Sequence, residues 1–204
     1  NIELDDLNYA KELGYVIKHL AIARSNESGV ELRVHPCLIP NSRLIANVDG
    51  VKNAVVVSAD ASGPTLYYGA GAGSYATASS VVSDIINVSK NIVYNSNGNL
   101  PLLNYQPNKL KKVNILKIEQ IKSRYYLRIR VTNKPGVLAD ITKILGGKSI
   151  SIESILQKED LVNDANVPIV LVTHEVLEKN IIEALSSIEN LDVVKGKIVK
   201  IRIE

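Results

Sequence analysis

Residues 125–204 alternate between two hydrophobic periods in an order that few folds accept. Tyr125, Leu127, Ile129 and Val131 are separated by Tyr126, Arg128 and Arg130, a period of two that predicts a half-buried strand. The turn Thr132-Asn133-Lys134-Pro135-Gly136 follows. Val137, Leu138, Ile141, Ile144 and Leu145 then fall at helical spacing, with Pro135 at the helix start and Gly146-Gly147 as its stop. Residues 150–159 read as a second strand, 163–166 as a polar turn and 167–173 as a mostly apolar third strand. Leu177, Ile181, Leu185 and Ile188 share one face of a second helix, and Val199, Ile201 and Ile203 alternate with Lys200 and Arg202 in a last strand. The order β-α-β-β-α-β is the ferredoxin-like arrangement, with helices covering one face of an antiparallel sheet. The other face, where apolar, needs a partner.

The residues of this stretch go further than their order. Asn133-Lys134-Pro135-Gly136-Val137-Leu138-Ala139-Asp140-Ile141, followed by Ile150-Ser151-Ile152-Glu153-Ser154-Ile155, resembles the ACT regulatory domain, an amino-acid-sensing module. The turn suits such a ligand chemically. Amides at a helix start favour a carboxylate, Gly136 permits close backbone approach, and Asn133 offers both a donor and an acceptor. The resemblance implies effector contacts at Asn133, Pro135, Gly136, Val137, Leu138 and Ile150. The alternative is a loop that only packs the domain. Family members usually carry glycine just before the second strand, where this chain has Ser149.

Composition sets the outer limits. With 204 residues, 46% of them hydrophobic and 22% charged, the chain is long enough for one large domain or two modest ones, and wholesale disorder is excluded. No apolar run approaches the ~20 residues of a membrane span. The polar start, Asn1-Ile2-Glu3-Leu4-Asp5-Asp6, is unlike a secretory signal. The single cysteine, Cys37, cannot form an internal disulfide, which fits a reducing, cytoplasmic setting. Methionine is absent even at position 1, so the chain reads as a piece of a longer gene product; Phe and Trp are missing as well. The net charge of +3 divides into −2 over residues 1–94, +5 over 95–124 and zero over 125–204. The basic middle is rich in Asn, holds Pro101 and Pro107, and has only Tyr105 to interleave its cations. It is expected to be a linker with one short strand near 113–118, not a nucleic-acid surface.

In the first 94 residues, 7–23 read as a helix with Ala10, Leu13, Ile17 and Leu20 on one face. Residues 31–35 and 51–59 read as strands, the second apolar enough for a covered position. Residues 65–68 lead into Gly69-Ala70-Gly71-Ala72-Gly73, and a helix over 77–93 has an apolar side of Ala78, Val81, Val82, Ile85, Ile86 and Val88. Strand, glycine-rich turn and helix form a phosphate-binding arrangement, and residues 71–76 match the dinucleotide fingerprint ending in alanine. A self-contained dinucleotide unit also needs an acidic residue about 20 positions on. No Asp or Glu lies between Asp84 and Glu119, so the turn is expected to touch a cofactor without building its domain.

Four segments here are similar, in order, to homoserine dehydrogenase. They are Glu12-Leu13-Gly14-Tyr15-Val16-Ile17-Lys18, Glu31-Leu32-Arg33-Val34-His35-Pro36-Cys37-Leu38-Ile39-Pro40, Ala46-Asn47-Val48-Asp49-Gly50-Val51-Lys52-Asn53-Ala54, and Tyr68-Gly69-Ala70-Gly71-Ala72-Gly73 with the helix after it. Together the two resemblances imply an α+β chain. An incomplete α/β homoserine dehydrogenase catalytic and dimerisation portion (1–94) and a basic linker (95–122) precede a ferredoxin-like β-α-β-β-α-β ACT domain (123–204). The family reduces aspartate semialdehyde to homoserine, toward threonine, methionine and isoleucine, with NADP or NAD as cofactor. Its hydride-transfer lysine, its acidic residues and its dinucleotide-binding domain are expected before Asn1, so no catalytic residue is assigned here and the chain alone is expected to be inactive. The resemblance places Gly73 against the nicotinamide cofactor, with Gly71 and Gly69 in support. The implied partners are a homo-oligomer, dimer or larger, and an amino-acid effector, threonine as the end product. Neither nucleic acid nor membrane is implied. The alternative function is a non-catalytic, dimerising, amino-acid-sensing module.

The remaining candidates have plainer readings. His35 and Cys37, two apart, offer two metal ligands where a structural site needs about four, and His19 and His174 are isolated, so no metal is assigned. His35 as a general base competes with a hydrogen-bonded strand-end histidine. Cys37 as a nucleophile lacks an evident activating partner. His174 is expected at the second helix's start, and Asp5 and Asp6 suit the capping of the first helix.

Overall fold

The computed structural model describes residues 2–94, 107–157 and 166–204. They are mixed α+β and fall into two compact units, residues 1–42 with 113–204, and residues 43–112.

The first unit opens with α1 (Leu4–Glu12), whose first turn is closed by the Glu3 N–H donating to Asp6 Oδ2 at 2.8 Å. The helix ends at Leu13 because Gly14 takes φ +81°, a conformation glycine reaches at little cost. From there β1 (Tyr15–Asn26) pairs antiparallel with β2 (Gly29–Pro40) along its whole length. The helix expected over 7–23 therefore stops at residue 12. Ile17 and Leu20 fit a helical face by spacing, but cross-strand pairing with Leu38 and His35 decides their conformation. The hairpin turn is held by the Asn26 side chain, which accepts from the amides of Ser28 and Gly29.

The second half of this unit is built from β5 (Lys122–Thr132), α3 (Val137–Gly147), β6 (Ile152–Gln157), β7 (Asn166–Thr173), β8 (Val176–Leu177), α4 (Glu178–Glu189) and β9 (Val199–Ile203). That is the expected β-α-β-β-α-β order, with β8 as a two-residue addition pairing β5. The strands lie in the order β1-β2-β9-β5-β7-β6, with β2 joining β9 in parallel. The N-terminal hairpin thus extends the ferredoxin-like sheet. The compact unit unites both ends of the sequence, a grouping different from the consecutive blocks 1–94, 95–122 and 123–204.

Both faces of the sheet's central strands, β9, β5 and β7, are covered. Tyr125, Leu127, Ile129 and Val131 pack against Ile141 and Leu145 of α3 and Ile181 and Ile188 of α4. On the opposite face Tyr126, Val170, Val172, Ile201 and Ile203 are buried with Ala10 of α1 and Leu38 of β2. At roughly 1.5–3 kcal/mol for each fully buried large apolar side chain, this second core is a substantial share of the unit's stability. Arg128 sits on that same face, where simple alternation would leave it solvated. Its Nε donates to Asp6 Oδ1 at 2.6 Å, and its Nη2 donates to Asp6 Oδ2 at 3.0 Å and Glu3 Oε2 at 2.7 Å. The Tyr126 hydroxyl donates to Asp6 Oδ1 at 2.9 Å. Asp6 is 0% exposed. Burial alone would raise its pKa, but the bonds from Arg128, Glu3 and Tyr126 outweigh burial and hold the carboxyl below its usual range.

Several local expectations shift by a few residues. Pro135 lies two positions before α3 rather than in its first turn, and Gly136 precedes the helix with φ +91°. Gly146 and Gly147 stay inside the helix, and the stop comes at Ser149, with φ +57°. Its amide donates to Gly146 O at 2.9 Å and that of Ile150 to Leu145 O at 3.0 Å, the paired bonds of a Schellman cap. The strand expected near 113–118 is reduced to a bridge between Ile115 and Val30. His174 is separated from α4 by β8. Tyr105, Pro101, residues 158–159 and most of the turn at 163–166 lie outside the described residues.

The second unit holds the hairpin β3 (Lys52–Ala59) and β4 (Gly63–Ala70), followed by α2 (Ser74–Val93). Among the described residues nothing buries the apolar run at 51–59. Val55 is 59% exposed, and no residue of α2 is buried. Among the described residues no helix is long and apolar enough to cross a membrane.

Ser149 holds a backbone conformation that glycine adopts more easily. Ser149→Gly is therefore expected to stabilise the chain by about 1 kcal/mol in urea unfolding, and Ser149→Val to weaken it. A destabilised glycine variant would contradict this cap.

Candidate functional site

The glycine-rich turn between β4 and α2 has three distinct positions. Gly69 is still in β4, paired with Asn53. The Gly71 amide donates to Val51 O at 3.0 Å, and a Cβ at Gly71 would fall 1.4 Å from Asn53 Nδ2, so the Asn53 side chain occupies the space that glycine leaves. Gly73 precedes α2 with φ +127°, and its carbonyl accepts from the Thr77 amide at 3.0 Å. No side chain caps α2, and its first turn carries no acid. Helix-start amides without a neighbouring carboxylate suit an anionic group, so the turn fits a cofactor phosphate by the chemistry of its donors.

In the turn between β5 and α3, Asn133, Pro135 and Gly136 are exposed, Leu138 is half-buried, and Val137 and Ile150 belong to the core. The first three present atoms to solvent. Val137 and Ile150 instead fix the shape of the turn from below. No side chain caps α3, and the Gly136 carbonyl accepts from the Asp140 amide at 3.0 Å.

The strongest electrostatic features lie where the sequence suggested nothing. Glu178, the first residue of α4, is 1% exposed. Tyr125 Oη donates to its Oε2 at 2.6 Å, Arg202 Nε donates to Oε2 at 2.8 Å, and Lys200 Nζ donates to Oε1. Burial opposes the charge of Glu178, but the bonds from Lys200 and Tyr125 and the two cations outweigh it and lower its pKa. On β2, Arg33 Nη2 lies 3.2 Å from Glu31 Oε2 and 3.1 Å from Glu204 Oε1, and Arg24 bonds the other Glu204 oxygen at 2.5 Å. Lys200 and Arg202 do alternate in the expected last strand, but no spacing rule connects them to an acid more than twenty residues earlier.

His35 and Cys37 do meet. Sγ lies 3.2 Å from Nδ1, and donor atoms of His35, Cys37 and Glu204 fall within 4.8 Å of one another. Burial, reinforced by Glu204, pushes the Cys37 thiol up to about 12, and burial, with Arg202 and Arg33, pulls the His35 imidazole down. This arrangement holds a protonated thiol beside a neutral ring, the reverse of an activated thiolate. The Glu204 carboxylate already serves two guanidinium groups, which disfavours a cation among these three donors.

The homoserine dehydrogenase family matches residues 1–86, and the ACT domain family matches residues 125–192. The chain carries a homoserine dehydrogenase segment and an ACT domain. The homoserine dehydrogenase of Pseudomonas aeruginosa is 53% identical over 98% of this chain and 46% of its own length. That of Neisseria gonorrhoeae is 47% identical with the same coverage. The crystal structure of a homoserine dehydrogenase from Thiobacillus denitrificans matches with a TM-score of 0.89 at 54% identity, over 98% of this chain and 45% of that one. The chain thus spans about half the length of the curated relatives it matches. β9, which joins the two matched segments through β2 and β5, lies outside both matches.

Glu178 supplies a test of the buried charge cluster. Its lowered pKa means that its contribution is complete above the unfolded-state carboxylate range, about 4.3, and is lost as pH falls through the lower folded value. Glu178→Gln leaves Lys200 and Arg202 without their anion. It is expected to destabilise by roughly 3–5 kcal/mol at neutral pH and to flatten the acid limb of the stability profile. A variant with unchanged acid dependence would contradict the assignment.

Proposed function

We propose that the protein carrying this chain reduces aspartate semialdehyde to homoserine with NADPH or NADH, and that its ACT domain senses an amino acid, threonine, as a feedback signal. The observation that supports this best is the paired family match, homoserine dehydrogenase over residues 1–86 and ACT over 125–192, within relatives named homoserine dehydrogenase. The cofactor supplies the hydride. This chain's part is to position it: Gly73 leaves room beside the α2 amides, with Gly71 and Gly69 shaping the approach. No residue of this chain is assigned to proton or hydride transfer, and the chain alone is expected to bind effector at most, without catalysing. The exposed apolar residues of α2 and β3 are suited to contact with further polypeptide, either the rest of the protein or a second subunit of a homo-oligomer.

In this reading the effector's carboxylate lies against the α3 start, and Asn133 contacts its polar groups. The ligand acts by favouring one packing of the ACT domains over another, to the extent that it binds one packing more tightly. Calorimetric titration of the chain with threonine is expected to show saturable heat, weakened about tenfold or more in Asn133→Ala, the loss of one hydrogen bond to a charged group. A flat titration of the folded chain would contradict the sensing reading, and turnover of aspartate semialdehyde by the chain alone would contradict the placement of the chemistry.

A further inference from the structure

A groove lies at the Lys122 end of β5, the strand whose other end leads into the turn at 133–138. Its volume is about 690 Å³, the size of a small-molecule site. One wall is the tip of the β1–β2 hairpin, where Arg24 and Glu31 are register partners. The other wall is the segment leading into β5, with the residues around β8, and it carries Glu119, Lys122, Glu175 and Lys179. Backbone bonds fix both walls. Val30 N–H donates to Asn114 O at 2.8 Å and Leu116 N–H to Val30 O at 2.9 Å, while Lys122 pairs with Leu177 in the β5–β8 ladder.

The lining narrows the chemistry. Three carboxylates oppose a polyanion such as a nucleotide, and three cations oppose a metal ion. An uncharged apolar molecule would desolvate six charged groups without compensating any of them. What remains is a small molecule carrying one charge of each sign. The groups do not all compete equally. Arg24 is committed to Glu204, Glu31 to Arg33, and Lys179 approaches Glu183 at 3.9 Å. Lys122, Glu119 and Glu175 make no ion pair among the described residues. Lys122 is thus the cation open to a carboxylate, and Glu119 and Glu175 are the acceptors open to an ammonium. Leu116, Ile121 and Leu177 add apolar surface beside them for a side chain.

We propose that this groove is a binding site for a free amino acid, recognised through Lys122 at its carboxylate and Glu119 and Glu175 at its ammonium. The site extends the sensing reading above to a second place on the chain, separated from the turn at 133–138 by the length of β5. All three recognition groups are exposed, so substituting them leaves the core intact.

The test is calorimetric titration of the chain with each of the twenty protein amino acids, repeated for the tightest binder with its carboxamide and its N-acetyl derivative. Lys122→Ala and Glu175→Gln are each expected to weaken binding by about tenfold or more, and each blocked derivative is expected to bind at least as poorly. Asn133→Ala, titrated in parallel, reports on the turn at 133–138. Binding lost in Asn133→Ala but kept in both groove variants would overturn the groove and leave the turn reading standing. Binding lost in the groove variants alone would support the groove and count against the turn. Two classes of site, each abolished by its own variant, would support both. Equal binding of the blocked derivatives overturns recognition of the zwitterion, and absence of binding by every amino acid overturns both sites.

Discussion

The arrangement of the first unit depends on the buried pair Asp6–Arg128. A guanidinium in the middle of a sheet face is tolerable only when an anion meets it, because an uncompensated buried charge costs several kcal/mol. Here the anion comes from α1, more than a hundred residues away in sequence, and arrives with Glu3 and beside Tyr126. Against well-packed apolar side chains such a pair contributes little net stability. Its effect is on register: only one placement of α1 satisfies Arg128, and that placement also sets Ala10 into the second core.

From this follows the relation between the homoserine dehydrogenase segment and the ACT domain. A ferredoxin-like sheet leaves one face and two edges free. In this chain the N-terminal segment takes the face with α1 and one edge with β2, which pairs in parallel with β9. The two family segments therefore share a hydrophobic core and a hydrogen-bonded sheet. The turn between β5 and α3, where we propose that the effector binds, follows a strand that pairs with β9, and β9 pairs in turn with β2. Coupling through a packed sheet requires no flexible connection.

The sequence was most legible where one period dominated. Four of the five strands described from residue 122 onward, and both helices, emerge from apolar spacing, and the family resemblances emerge from short exact segments. Residues 13–23 differ, because their apolar positions satisfy a helical spacing while a long-range strand partner, β2, determines the conformation. Buried charged residues differ as well. Arg128, Glu178 and Arg33 look like solvated positions in a half-buried pattern, since a pattern holds no record of the distant acid or base that neutralises each. Ser149 shows the converse: the sequence marks the missing glycine, and the backbone turns left-handed there regardless. The groove beside β8 was invisible because its two walls come from residues 24–31 and from 116–122 with 175–179, brought together by bonds around Ser28 and Val30.

The most direct test of the central claim is a double-mutant cycle on Asp6 and Arg128, using Asp6→Leu, Arg128→Met and the pair together, with unfolding free energy as the readout. Each single change is expected to cost roughly 3–5 kcal/mol, and the double far less than their sum, a coupling of about 2 kcal/mol or more. Additive losses, or single changes without effect, would show that α1 does not close this face of the sheet through that pair.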